Sequence, residues 1–185
     1  MRISVPLAQA YRLLNHGPTT LVTTAHGGRR NVMAAAWVMP LDFEPCKLAA
    51  VVAADTFSRE LLVASGECVV QAPTTAMVDL TVAVGTSSGR DGDKFDRLGI
   101  PTARASLVGA PLVEGCAAWL ECRVVPEPAI AERYDLFVLE CVAAWADDAL
   151  FQRGEWQFAP GGPRTIHHSK GGVFHATGER IAAAR

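Results

Sequence analysis

The sequence predicts an antiparallel β-barrel with a few short helices packed outside it. Runs of strand length rich in Val, Leu and aromatic residues recur along the chain, while the helical patterns are few and short. Strands and helices do not alternate strictly, so a parallel doubly wound sheet is not implied, and no G-x-G-x-x-G fingerprint accompanies any strand. About six or seven strands and two or three helices are expected, in one domain over residues 1–185.

Each element has its own signal. Val5, Leu7, Ala8, Tyr11 and Leu14 have mixed helical spacing over 5–15, ended by Gly17-Pro18. "TLVTTA" (20–25), "HGGRR" and "NVMAAAWVM" (31–39) read as a hairpin whose paired glycines supply positive φ, with Pro40 and Pro45 closing it. "KLAAVVAA" (47–54) reads as a strand buried on both faces. "DTFSRELLVASG" reads as a helix capped by Thr56 or Ser58 and stopped by Gly66. "ECVVQAP" is a further strand. "TTAMVDLTVAVG" (74–85) looks helical, with Thr75 as cap and Gly85 as stop, and one or two helical turns are expected around Lys94–Leu98. Strands at 118–127 and 134–147 follow, the second long enough to require a bulge. The tail from Phe158 carries two Gly-Gly pairs and two prolines and should be an ordered loop with at most a short strand.

Composition narrows the function. Half the residues are hydrophobic and the net charge is −2 with basic residues scattered, which argues against binding nucleic acid by phosphate neutralisation. Five cysteines without a C-x-x-C pair indicate neither a zinc ribbon nor a disulfide framework. Buried free thiols are the expected reading, and they suit a reducing cytoplasm. Neither a signal peptide nor a membrane span is expected.

Three clusters carry the chemistry, each with a plain structural alternative. In "NVMAAAWVMP", Ala34, Ala35 and Ala36 sit where a strand usually carries larger residues. Either they pack against a bulky neighbour such as Trp37, or they let a flat ligand lie against the backbone. In "SSGRDGDKF" (87–95), Asp91 or Asp93 could simply cap a helix. Alternatively Ser87, Ser88, Gly89 and nearby amides form a polar or anion site, with charge from Arg90 or Lys94. In "RTIHHSKGGVFH", two adjacent histidines lack the spacing of a metal site, and in extended chain at most one of His167 and His168 faces a given pocket. "GTSSG" is not a nucleophile elbow, and no cysteine has an activated setting.

The order and spacing of "NVMAAAWVMPLDFEP", "TFSRELLVASGECVVQAP", "VGTSSGRDGDKFDRLG", "APLVEGCAAWLECRVV" and the closing "GGVF" resemble the flavin reductase-like, FMN-binding split-barrel family, which includes flavoredoxin. The resemblance spans about residues 18–178. It implies a Greek-key split β-barrel with short peripheral helices, a homodimer, and FMN in a groove near the interface. By that resemblance Asn31, Met33, Ala34, Ala35, Ala36 and Trp37 would lie along the ring and ribityl chain, with Thr56 near the phosphate. Ser87, Ser88, Gly89 and Lys94 would complete the site, and His168 would reach it from the C-terminal segment. Members often carry Thr-Ala-Ser at the "AAA" position and a basic residue at Asp55, so main-chain amides would replace hydroxyl donors here.

The resemblance implies an NADH- or NADPH-dependent oxidoreductase that reduces FMN, the reduced flavin then serving a partner oxygenase or electron-transfer protein. Such chemistry belongs to the cofactor, so no protein acid, base or nucleophile need be visible. Two other readings stay open: an FMN electron-transfer protein that does not use nicotinamide, and a flavin-free barrel binding another small ligand.

Overall fold

The computed structural model describes residues 1–184. The chain begins with β1 (Arg2–Ser4) and α1 (Leu7–Ala10), which runs on into a 3-10 turn over Tyr11–Leu13. β2 (Thr20–His26) and β3 (Arg29–Ala35) then form the expected hairpin. Gly27 and Gly28 turn it at φ +57° and +76°, where a side chain would be strained.

The strand expected over 31–39 is broken. β3 stops at Ala35, and β4 (Val38–Phe43) starts beyond Ala36 and Trp37. Sheet order gives the reason: the path runs β3-β2-β6-β9-β10-β5-β4, so β3 and β4 lie at its two ends. Three peptide steps span at most about 11 Å, so the sheet must curl until its edges nearly meet. The result is a barrel split between β3 and β4. Pro40 does not close the hairpin but lies inside β4, an edge strand with a register shift between Pro40 and Asp42, where a missing N–H is tolerated. β5 (Cys46–Val51) returns antiparallel to it.

α2 (Phe57–Ser65) follows the expectation: Thr56 Oγ1 accepts from Arg59 N at 3.2 Å, and Gly66 ends the helix at φ +69°. After β6 (Glu67–Ala72) comes α3 (Val78–Thr86), entered through a 3-10 turn over Thr75–Met77. Two expectations change here. Thr75 lies inside that turn and does not cap it, and Gly85 lies within the helix, one residue before its end. α4 (Lys94–Leu98) is capped by Asp93, whose carboxylate accepts from Phe95 N at 2.7 Å.

β7 (Thr102–Ala103) and β8 (Leu112–Val113) pair with each other before β9 (Ala118–Val125), α5 (Pro128–Tyr134) and the twelve-residue β10 (Leu136–Asp147). β10 carries the expected bulge between Cys141 and Ala143, and β1 pairs with it. β11 (Phe151–Gln152) and β12 (Glu155–Trp156) form a small pair. The tail is more regular than expected: β13 (Ile166–Lys170) and β14 (Val173–Ala176) make a hairpin. The eight-stranded sheet, the three small pairs and five helices exceed the predicted number, because two-residue strands and α5 leave no periodic signal. No helix among the described residues is long and apolar enough to cross a membrane.

Two apolar clusters fill the molecule. Leu48, Val70, Leu120 and Leu139 lie in one, and Leu21, Val69, Val84, Phe95 and Trp119 in the other. In β9, Glu121 is fully buried and accepts from the Ser106 and Leu107 amides, the Ser106 hydroxyl and Trp145 Nε1. Burial alone would raise its pKa, but those donors hold the carboxyl below its usual range. Its stabilisation is therefore present above the unfolded value and lost as pH falls through the folded one. Replacing Glu121 with Ala strands four donors, and urea unfolding should report a loss of about 3 kcal/mol at pH 7 that narrows toward pH 3.

Candidate functional site

β3 is an edge strand, so one row of its backbone groups faces away from the sheet. α3 ends beside it, with its last carbonyls unpaired by the helix. The Lys94 ammonium, at the start of α4, joins the two: its Nζ donates to Val32 O of β3 and Val84 O of α3, both at 2.8 Å. Lys94 is only 2% exposed, and no carboxylate among the described residues pairs with it. Burial, with repulsion from Arg97, pulls its pKa from 10.5 to about 8.

The same approach accounts for small residues at two positions. A Cβ on Gly85 would sit 3.3 Å from the Ala34 Cβ, so a larger side chain at either place would push α3 off β3. Trp37, the bulky neighbour the sequence offers for the alanines, is 75% exposed rather than packed into the core. Ala34 and Gly85 form the waist between two hollows that share Met33, Ala34, Gly85 and Thr86. One, of about 430 Å³, is lined by Ala35, Ala36, Trp37, Val51, Ala53, His168 and Phe174 among others. The second, of about 290 Å³, is lined by Asn31, Asp55, Thr56, Ser58, Ser87, Ser88, Gly89, Arg90 and Lys94 among others.

All twelve residues singled out in the sequence line one or other of these two adjoining hollows. Their partners differ from what charge and type suggest. Ser87 donates its hydroxyl to Ala83 O at 2.7 Å, and Thr56 donates to Ala53 O at 2.8 Å. Ser88 Oγ accepts from Arg90 N at 3.1 Å, leaving its own proton free for another acceptor. Arg90 is drawn to Glu60 and Asp55 O. Asn31 donates Nδ2 to Ser58 Oγ at 2.9 Å, while its buried Oδ1 has no partner. Gly89 packs so close to Asn31 and Phe57 that a Cβ there would collide with both. The adjacent histidines diverge as expected: His167 bonds Gly17 O and Thr177, and His168 lines the apolar hollow.

Sequence reasoning missed Val51, Ala53, Thr81, Val82 and Phe174 as lining residues and took Gly85 for a helix stop. A glycine within an apolar helical run was the available signal, since such a residue marks close approach.

The chain matches the flavin reductase like domain over residues 12–166. The chain belongs to the flavin reductase-like family. A relative from Escherichia coli K12, the uncharacterized protein YddH, is 46% identical and covers 98% of this chain and 97% of its own. An FMN-binding domain of a flavin reductases-like enzyme from Shewanella baltica OS155 superposes with a TM-score of 0.96 at 44% identity, covering 100% of this chain and 98% of that one. Flavoredoxin of Desulfovibrio vulgaris (Miyazaki F) shares the fold, with a TM-score of 0.78 at 24% identity and coverage of 91% and 90%. These matches agree with the split barrel expected from the sequence.

The buried Lys94 makes a measurable demand on stability. With its folded pKa near 8 and an unfolded value near 10.5, the unfolded chain binds the extra proton between those limits. Stability should therefore rise with pH across that window, by on the order of 2 kcal/mol. Denaturant titrations at pH 7.5 and 10 should show this rise in the wild type and a smaller one in Lys94→Met.

Proposed function

We propose that this protein binds FMN in the double groove and uses NADH or NADPH to reduce it. The observation that carries the reading is the buried, carboxylate-free Lys94 in the wall of a polar hollow that shares a wall with an apolar one. A desolvated cation without a counter-ion favours an anionic group beside it. The groove fits a flavin mononucleotide part by part. Ala34, Ala35 and Ala36 offer a flat apolar wall for a ring, unpartnered Asn31 Oδ1 offers an acceptor for a ribityl hydroxyl, and Ser88 and the amides around Thr56 and Gly89 offer donors to a phosphate. The whole-length likeness to an FMN-binding protein at 44% identity supports the same ligand.

When bound, the flavin supplies the two-electron hydride chemistry. The protein's part is to hold, orient and shield. Lys94 puts positive charge beside the groove and so favours a more negative occupant. Asp55, also in the polar hollow, opposes a phosphate, and Arg90 is restrained by Glu60. Phosphate recognition then rests on amides, Ser88 and Lys94. His168 and Phe174 on the β13–β14 hairpin border the apolar hollow and would limit what approaches the ring face.

The reading includes a homodimer. Every second residue from Trp37 to Phe43 is large, apolar and exposed: Trp37 75%, Met39 56%, Leu41 50% and Phe43 65%. This row runs from Trp37, just before the edge strand β4, along β4 to Phe43 and is a natural seat for a second copy. Trp37 belongs to both the row and the groove, so the partner would close the apolar hollow. A partner oxygenase or electron-transfer protein would take the electrons, and five free thiols support a reducing, cytoplasmic setting.

The visible spectrum of the purified protein, titrated with FMN, tests the cofactor. Saturable quenching of flavin fluorescence is expected, weakened at least tenfold in Lys94→Met, and no quenching would sink the proposal. Anaerobic mixing with NADH and NADPH should bleach the flavin band with one of them. A flavin that binds but bleaches with neither points to the electron-transfer reading. Sedimentation should give a dimer for the wild type and a monomer for Leu41→Asp.

A further inference from the structure

Four of the five cysteines stand in one row across the barrel. β9 sets Cys122 opposite Cys68 of β6 and Cys141 of β10. The β10–β5 register, in which Glu140 faces Lys47, carries Cys46 opposite Cys141. All four side chains belong to the same buried apolar cluster, whereas Cys116 lies in the other.

Hydrogen bonding ranks the three adjacent pairs. Bonded pairs in an antiparallel ladder recur every second residue. Val124 N donates to Gly66 O at 2.8 Å, so stepping by two makes Cys122 and Cys68 a bonded pair. Val52 N donates to Asp135 O at 2.8 Å, which likewise makes Cys46 and Cys141 a bonded pair. A residue's N–H and C=O point to the same side of its strand. Cys122 therefore spends them on β6 and Cys141 on β5, leaving Cys122–Cys141 as the pair that exchanges no backbone bonds. The ladder shifts register just after Cys141, so Cys122 stands opposite both Cys141 and Val142, and the Cys122 and Cys141 side chains are in contact inside the barrel.

The geometry points to Cys122–Cys141 as a cross-strand disulfide site oxidised by hydrogen peroxide, with Cys46 and Cys68 as exchange partners on either side. This inference does not depend on the flavin reading. The row is linear, and no three metal-ligating side chains among the described residues are grouped around a centre, so the sulfurs do not form a metal site. Contacts from Cys122 and Cys46 favour the Cys141 thiolate, against the effect of burial.

In the first step the Cys141 sulfur attacks one peroxide oxygen, and the O–O bond breaks. Hydroxide leaves and becomes water with the thiol's proton, giving a sulfenic acid. In the second step the Cys122 sulfur attacks the Cys141 sulfur. The S–S bond forms as the S–O bond breaks, and hydroxide leaves as water with the Cys122 proton. Two sulfurs are oxidised by two electrons in total, and one peroxide is reduced to two waters. The thiols now donate to Leu120 O and Ala143 O, both at 3.4 Å, and turn away from those carbonyls to bond.

The test treats the full chain with hydrogen peroxide, quenches in acid, and combines intact mass with non-reducing peptide mapping. The expected product has lost two hydrogens, carries a Cys122–Cys141 cross-link and reverts with dithiothreitol. The cross-link should move to Cys46–Cys141 in Cys122→Ser and to Cys68–Cys122 in Cys141→Ser, and stay in place in Cys116→Ser. Circular dichroism checks that each variant is folded, and the wild-type result stands alone if one is not. Unchanged mass, oxygen adducts without a cross-link, or a cross-link through Cys116 would each overturn the assignment.

Discussion

One buried ammonium holds the groove together. Lys94 reaches from α4 to a free carbonyl on the edge of β3 and to an unpaired carbonyl near the end of α3. Neither acceptor is satisfied by its own element, so one side chain removes two exposed-backbone problems at once. Burying that charge without a carboxylate costs stability, visible in its lowered pKa. A structural role alone would be met more cheaply by a neutral donor. The anionic occupant proposed for the groove would offset that cost.

The small residues follow from the same constraint. Once α3 lies against β3, Ala34 and Gly85 must be small for the backbones to approach, and Gly89 must be small for the next turn to pass Asn31 and Phe57. The hollows on either side of that waist differ in chemistry because different elements wall them. Strand residues and the β13–β14 hairpin make an apolar wall, while the ends of α2 and α3 bring hydroxyls, amides and charges. A groove apolar at one end and polar at the other thus follows from which ends of which elements meet there.

Much of the framework was legible in local sequence. The Gly27–Gly28 hairpin, the Thr56 cap, the Gly66 stop, the helical turns at Lys94–Leu98 and the bulge in β10 each rest on short-range conformational rules. The misreadings share one cause. The break at Ala36–Trp37, Pro40 inside a strand and Gly85 inside a helix depend on what lies across the barrel, which no local window contains.

The sequence by itself determined the mainly β architecture and the family, because period, turn chemistry and motif order are written along the chain. Only the tertiary structure decided that the twelve candidate residues line two adjoining hollows, that Lys94 is buried without a counter-ion, and that four scattered cysteines share one row. Sheet order and register bring distant residues within a few ångströms, and both are set by how the whole sheet closes. Strand identity is local; strand neighbourhood is not.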